Sequence, residues 1–324
     1  MSRKLITIST IMTLMSTSVI ADVPNVAADI APIHSLVSRV MDGVGAPKLI
    51  VQSGASPHGY RLRPSEAKAL QDADHVFWMG EELTPWLDSA IGTLASKASV
   101  TTLLDQQGVI LHDFREGALF EAHDHSAHGD DDHDDHDDHD DHDDHKDHDD
   151  HDDHGSHDPH AWLSPENAKL WLNIIASKLS VSDPENAATY FMNAAAGQAE
   201  IEAMIAEVKA TLKPVQGGKF VVFHDAYQYF ENDFDFYASG AISLSDSSDP
   251  SPARIEKVQK RIRDEGIQCV LAEPQFKKGL VATVMEGSDA TASVIDPLGA
   301  ELETGPKLYT RLIKNMAKTL RNCL

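Results

Sequence analysis

Thirteen of the chain's 18 histidines fall between residues 121 and 160, together with nineteen acidic residues and one lysine. From His133 they recur at every third position, through His136, His139, His142, His145, His148, His151, His154 and His157 to His160, mostly separated by Asp-Asp. Imidazole suits zinc, copper and nickel, and carboxylates add charge attraction. A spacing of three lets neighbouring rings close on one ion in many extended or bent arrangements. Nine of these residues, His133 to His157, are therefore expected to form weak secondary metal sites. A packed core could not hold so much like charge, which predicts a solvated, disordered loop over 121–159. An acidic solubilising tail is the plainer reading, but the strict period and the mid-chain position argue against it. The last histidine also runs straight into an ordered-looking segment, His160-Ala161-Trp162.

Two further histidines stand where strands are predicted to stop. His58 lies in Gly54-Ala55-Ser56-Pro57-His58-Gly59-Tyr60, a glycine- and proline-marked loop after the strand at Lys48–Val51. His224 directly follows the apolar run Lys219-Phe220-Val221-Val222-Phe223. With His160 they form a candidate metal set: His58, His160 and His224. Zinc fits three imidazoles in a tetrahedron with the fourth position open. Asp296, at the end of another predicted strand, is the first candidate for that fourth ligand, with capping of the loop before Pro297 as the equal alternative. Asp225 is read either as a partner holding an imidazole tautomer or as a helix cap. His34, His75 and His112 have no convergent setting and are read as structural or exposed.

The elements that would position these groups alternate strand and helix, which predicts an α/β fold: two lobes, each a parallel sheet flanked by helices, with ligands beyond the strands' carboxyl ends. Short strands are predicted around 24–31, 48–51, 75–79, 219–223, 268–272 and 293–295. Ser164-Pro165-Glu166 and Asp183-Pro184-Glu185 both read as helix starts. From the second, apolar residues at spacings of three, four and seven continue to Leu212, a helix longer than a sheet crossover needs. The expected division is an N-terminal lobe at 22–182 that includes the loop, a rigid linking helix at 183–213, and a C-terminal lobe at 214–324, with the metal in the cleft between lobes.

The formal charge is −25, of which the tract carries −18 and the rest of the chain −7. No basic face is left for phosphates, which argues against nucleic acid. Residues 1–21, with Arg3 and Lys4 before a mostly apolar stretch and Val19-Ile20-Ala21 at its end, read as a secretory signal peptide rather than a membrane anchor. No cysteine follows the cleavage point to carry a lipid. The expectation is a free periplasmic protein. Cys269 and Cys323 are an even pair in an exported chain, which predicts a disulfide, with a metal-thiolate pair as the rival. A zinc hydrolase would need a general base beside the metal, and there is neither a His-Glu-x-x-His motif nor a nucleophile elbow, so no enzyme activity is expected.

Six segments, taken in order over the mature chain, resemble the ZnuA-type zinc receptors, the metal-binding solute-binding proteins that serve ABC importers. They are Gly54-Ala55-Ser56-Pro57-His58 with Leu62-Arg63-Pro64-Ser65, His160-Ala161-Trp162-Leu163-Ser164-Pro165-Glu166, Phe223-His224-Asp225-Ala226-Tyr227, Ala272-Glu273-Pro274-Gln275-Phe276 and Asp296-Pro297-Leu298-Gly299. The charged histidine-rich insert is similar to that of the zinc branch. The resemblance implies high-affinity Zn2+ capture at His58, His160 and His224, delivery to an inner-membrane permease, a monomer, and a disulfide matching Cys269 and Cys323. Some relatives place a glutamate just before the first histidine. Here that residue is Pro57, so Asp296 or water must complete the site. A carboxylate at the third position would suit manganese or iron, and His224 there favours zinc. A periplasmic zinc buffer acting without a permease is the alternative.

Overall fold

A computed structural model of the chain describes residues 23–115, 120, 157–243, 250–275 and 278–324. The leader expected at 1–21 and the histidines from His133 to His154 lie outside the described residues. The elements run β1 (Val26–Ala28), α1 (Ala31–Val40), β2 (Lys48–Leu49), α2 (Pro64–Gln71), β3 (His75–Trp78), α3 (Pro85–Leu94), β4 (Ser99–Thr102), α4 (Pro165–Ser182) and α5 (Ala187–Leu212). They continue with β5 (Phe220–His224), α6 (Gln228–Phe234), β6 (Ala241–Ser243), α7 (Pro252–Glu265), β7 (Cys269–Ala272), α8 (Lys278–Met285), β8 (Thr291–Val294) and α9 (Leu308–Cys323).

The strands form two four-stranded parallel sheets with the same topology, β2-β1-β3-β4 and β6-β5-β7-β8. Burial on both faces gives β1, β3, β5 and β7 their continuous apolar runs. In such an order the connections diverge between β1 and β3, and again between β5 and β7, which opens a crevice beyond their carboxyl ends. Asp29 closes the first of these junctions. Its Oδ1 accepts from the Ile30 N–H and its Oδ2 from the Met79 N–H, each at 2.7 Å, tying the end of β1 to the end of β3. β4 and β6 were not expected from the sequence. β4 is largely exposed at Ser99 and Val100, and β6 is only three residues long, so neither shows the apolar run that marks an inner strand.

Between the sheets lies α5, 26 residues and about 39 Å long at 1.5 Å per residue. The helix expected from 183 opens with a short 3-10 turn, Pro184–Asn186, capped by Asp183, whose Oδ2 also takes the Tyr190 hydroxyl at 2.7 Å. Tyr190, Ala194, Gly197, Ile201, Met204, Val208 and Leu212 make its buried stripe. At Gly197 a Cβ would come within 2.9 Å of Leu172 in α4, so the helices meet there only because the side chain is absent. α1, α4 and α9 pack on the same helix, and one continuous apolar core joins them to both sheets. Among the described residues no helix is long and apolar enough to cross a membrane.

Cys269 in β7 and Cys323 at the end of α9 form a disulfide with Cα atoms 5.6 Å apart across 54 residues. On the chain-entropy account, closing that loop stabilises the fold by about 4 kcal/mol. Cys269→Ser/Cys323→Ser should lower the denaturant-unfolding free energy by up to that amount, and a change below about 1 kcal/mol would show the cross-link to be energetically idle.

Asp29 sets a second expectation. Burial pushes its carboxyl up from 3.8 to about 7 despite the two amide bonds. A carboxyl held higher in the folded than in the unfolded state favours folding while protonated. That contribution is complete below about pH 4 and is lost as the pH climbs to about 7, up to roughly 4 kcal/mol in all. Urea unfolding of the wild type and Asp29→Asn across this window should show the variant gaining relative stability as pH rises. A difference that stays flat with pH would show that Asp29 is ionised throughout.

Candidate metal centre

His224 is the last residue of β5, and Glu273 follows β7, so both stand at the second junction of diverging strands. Both are almost fully buried. The His224 Nδ1 lies 2.5 Å from Glu273 Oε1, and Gln275 Nε2 donates to Glu273 Oε2 at 2.7 Å. A carboxylate can only accept, so it places the hydrogen on Nδ1 and turns Nε2 outward.

His160 is held the same way by a different segment. Its Nδ1 lies 2.6 Å from Asp158 Oδ1, which also accepts the His160 backbone N–H at 3.0 Å. Asp158 is buried and pinned through its own backbone. Its N–H donates to the His112 carbonyl at 2.7 Å, and its carbonyl accepts the Tyr229 hydroxyl at 2.7 Å. Trp162, two residues past His160, donates from Nε1 to the Pro297 carbonyl at 2.8 Å. His160 therefore sits beside β5, and its ring and that of His224 have centroids 5.2 Å apart.

The two Nε2 atoms face each other at 3.4 Å. They cannot both carry hydrogen at that separation, and two bare lone pairs would repel. With metal–nitrogen bonds of 2.0–2.1 Å, the edge of a zinc tetrahedron is about 3.3 Å. The pair is thus spaced as two corners of such a polyhedron. His58 supplies the third ring, its centroid 5.6 Å from that of His160. It is half-buried on the loop after β2. There Gly54 takes a left-handed φ of 82°, and the Pro57 carbonyl accepts from Trp86 Nε1 at 2.7 Å. Among the described residues no group of three or more His, Cys, Asp and Glu side chains is already arranged to hold a metal ion. His160 is the ring that neighbours both of the others, and only the His160–His224 pair stands at coordination spacing.

The remaining expected residues are engaged with other partners. Asp296 caps its loop: Oδ1 accepts from the N–H groups of Leu298 and Gly299 at 3.0 and 2.8 Å, and Oδ2 from that of Ala300 at 2.5 Å. Asp225 does not hold an imidazole. Its carboxylate is turned to Arg115, because the tautomer-fixing positions belong to Asp158 and Glu273. Burial pushes the Asp225 carboxyl up while Arg115 pulls it back. The loop expected over 121–159 also ends sooner than anticipated. His157 pairs with Asp113 in an antiparallel bridge, its Nδ1 2.9 Å from Asp113 Oδ1, and Asp158 and Pro159 are buried. The sequence reading missed Asp158 and Glu273 as imidazole partners. The signals available were an aspartate two residues before His160 and a glutamate at a strand's carboxyl end. His34 bonds the Pro47 carbonyl at 3.1 Å, His75 the Ser182 hydroxyl at 2.7 Å, and His112 packs on Tyr229, so all three are structural.

Two parallel sheets of equivalent topology packed on one long helix, with two carboxylate-braced imidazoles from separate segments facing each other, give the architecture of a solute-binding protein with a candidate cation site. The chain belongs to the ZnuA family, whose description is zinc-uptake complex component A, periplasmic, and whose model matches residues 26–323. It is 49% identical over 304 residues to the high-affinity zinc uptake system protein ZnuA of Brucella abortus (strain 2308), covering 92% of this chain and 91% of that protein. The ZnuA of Paracoccus denitrificans (strain Pd 1222) is 44% identical over 305 residues, with 94% and 93% covered. A ZnuA crystal structure superposes with a TM-score of 0.72 at 21% identity, over 93% of this chain and 99% of that one. FpvC of Pseudomonas aeruginosa, solved with Mn2+, has a TM-score of 0.71 at 18% identity, over 93% and 97%. A ZnuA deletion mutant solved with zinc bound superposes with a TM-score of 0.71 at 21% identity, so this fold is shared by proteins solved with zinc and with Mn2+.

Proposed function

We propose that this chain is the periplasmic receptor of a zinc importer: it captures Zn2+ with His58, His160 and His224 and hands it to the permease of an ABC transporter in the inner membrane. The observation that carries this reading is the 3.4 Å separation of the His160 and His224 Nε2 atoms, each ring braced through Nδ1 by a buried carboxylate. Three imidazoles favour zinc over the harder manganese and iron ions. Asp296 is occupied with three backbone amides, so water is the better candidate for the fourth donor. Among the described residues the carboxylates beside the rings, Asp158, Glu273 and Asp225, are engaged with Nδ1 atoms or with Arg115, which supports a receptor rather than an enzyme.

In this reading residues 1–21 direct export, and 22–182 and 214–324 act as two lobes on the spine 183–213. Zinc would be drawn to the acidic tract, exchange among the weak sites from His133 to His157, and pass to the cleft beside His160. A long helical spine limits hinge closure, so release to the permease would come from small shifts.

Competition titration with zinc tests this on the intact chain, on a deletion of 121–156 that keeps His157 and Asp158, and on Asp296→Asn. The intact chain should hold one tight zinc and several weaker ones. The deletion should keep the tight one alone, and Asp296→Asn should keep it too. Loss of tight binding in the deletion would make the tract itself the site. Zinc-limited growth of a strain lacking the chain separates receptor from buffer, since a receptor matters in scarcity and a buffer in excess.

A further inference from the structure

Arg115 is the last described residue before 116–119, two residues past the isolated bridge at Asp113, and its partly buried side chain reaches across to Asp225 and Glu231. Its Nε donates to both Asp225 oxygens at 3.0 Å, its Nη2 also bonds Asp225 Oδ1, and its Nη1 donates to Glu231 Oε2 at 2.6 Å. Glu231, on α6, is 1% exposed, and Asp225 directly follows His224. The Phe120 ring covers the guanidinium, its centroid 3.6 Å from Cζ. Three residues earlier the same segment is bonded to α6 again, where the His112 N–H donates to Tyr229 Oη at 3.1 Å.

We propose that Arg115 is a positioning residue for the metal centre: its guanidinium fork clamps the corner after β5 that carries His224 and seats the root of the histidine tract against it. The inference rests on the zinc-receptor reading of the site.

The chemistry favours arginine here. Two buried carboxylates within reach of one another repel unless a cation lies between them, and a planar guanidinium can serve both through separate N–H pairs. Arg254 also lies within Coulomb range of Asp225, but its guanidinium is bonded to the carbonyls of Ala241 and Ile242, at 3.0 and 2.6 Å. Without Arg115 the Asp225 side chain would be expelled towards water. Because the neighbouring residue is His224, the backbone turn that aims its Nε2 at His160 would be released with it. The same loss would free the 112–115 segment, on whose His112 carbonyl Asp158 depends, so both braced imidazoles are tied to one guanidinium.

The test measures zinc release from the tight site of the full chain into excess chelator, for wild type, Arg115→Lys, Arg115→Gln and Arg115→Gly. Lysine keeps the charge but not the fork. It should fold and release zinc several-fold faster, and Arg115→Gln should release it about 10- to 100-fold faster, as for other outer partners of metal ligands. Added guanidinium ion should slow release from Arg115→Gly, whereas methylammonium should not. Substituting Co2+ should show a broadened tetrahedral d–d spectrum in the variants. Wild-type release rates and Co2+ spectra in folded Arg115→Lys and Arg115→Gln would overturn the inference and leave the receptor reading intact. Absence of a tight zinc in the wild type would instead sink that reading first. Fast release from Arg115→Gly that guanidinium does not slow would mean that Arg115 is not acting through its fork.

Discussion

His224→Ala should weaken the tight zinc by about 3–5 kcal/mol, a few hundred- to several thousand-fold, because one of three imidazoles supplies roughly a third of a binding free energy of about 10–16 kcal/mol. The loss has a second source. Glu273 is buried, and His224 is its ring partner at 2.5 Å, so removing the imidazole leaves Oε1 of a buried carboxylate without that donor while Gln275 still serves Oε2. The variant should therefore also be less stable without metal, and it should lose the thermal stabilisation that zinc confers on the wild type. Competition titration checks the affinity, and thermal unfolding with and without zinc checks the linkage. Tight binding retained in His224→Ala would remove this residue from the site and with it the convergence of the two lobes on one ion.

Glu273→Gln and Asp158→Asn should each weaken zinc about 10- to 100-fold without removing any ligand. An amide oxygen still accepts the Nδ1–H, so the ring keeps its orientation. What is lost is the negative charge that makes the imidazole a better donor and that compensates the incoming cation in a buried site. The two substitutions act on different rings through different elements, Glu273 after β7 and Asp158 at the tract's end, so both effects should appear independently in direct zinc titrations. Unchanged affinity in both variants would show that the carboxylates merely satisfy buried N–H groups. An effect in Asp158→Asn alone would instead point to lost order in the segment around His160, which the distribution of its amide exchange would reveal.

The three candidate imidazoles could be picked out in the residues because each stands at a strong local signal. An apolar run ends at His224, a glycine-proline loop holds His58, and the period-three tract ends at His160. The parallel sheets were legible for the same reason, since inner strands covered on both faces must be apolar throughout. β4 escaped because its exposed Ser99 and Val100 show no buried run, and β6 because three residues are too few to show one. Asp225 presented two readings, an imidazole partner or a helix cap, and local sequence could not show a third. The residue that claims it, Arg115, lies 110 positions earlier, on a segment with no periodic signal. Asp296 presented two equal readings, and only the positions of the amides of Leu298, Gly299 and Ala300 favour the cap.

By itself the sequence determined the class of chemistry and the elements that bear it: imidazole-rich, acidic, α/β, with its candidate donors at strand ends and a cysteine pair available for a cross-link. Those properties depend on composition and on periodicity over a few residues, which the chain carries locally. Only the tertiary structure decided which carboxylate braces which ring, that His160 and His224 meet at coordination spacing, and that the root of the tract is clamped to the opposite half by Arg115. Each of these is a contact between segments tens of residues apart, 64 in the case of His160 and His224. Such contacts are selected by the packing of α5 and the sheets around it, and no local pattern encodes them.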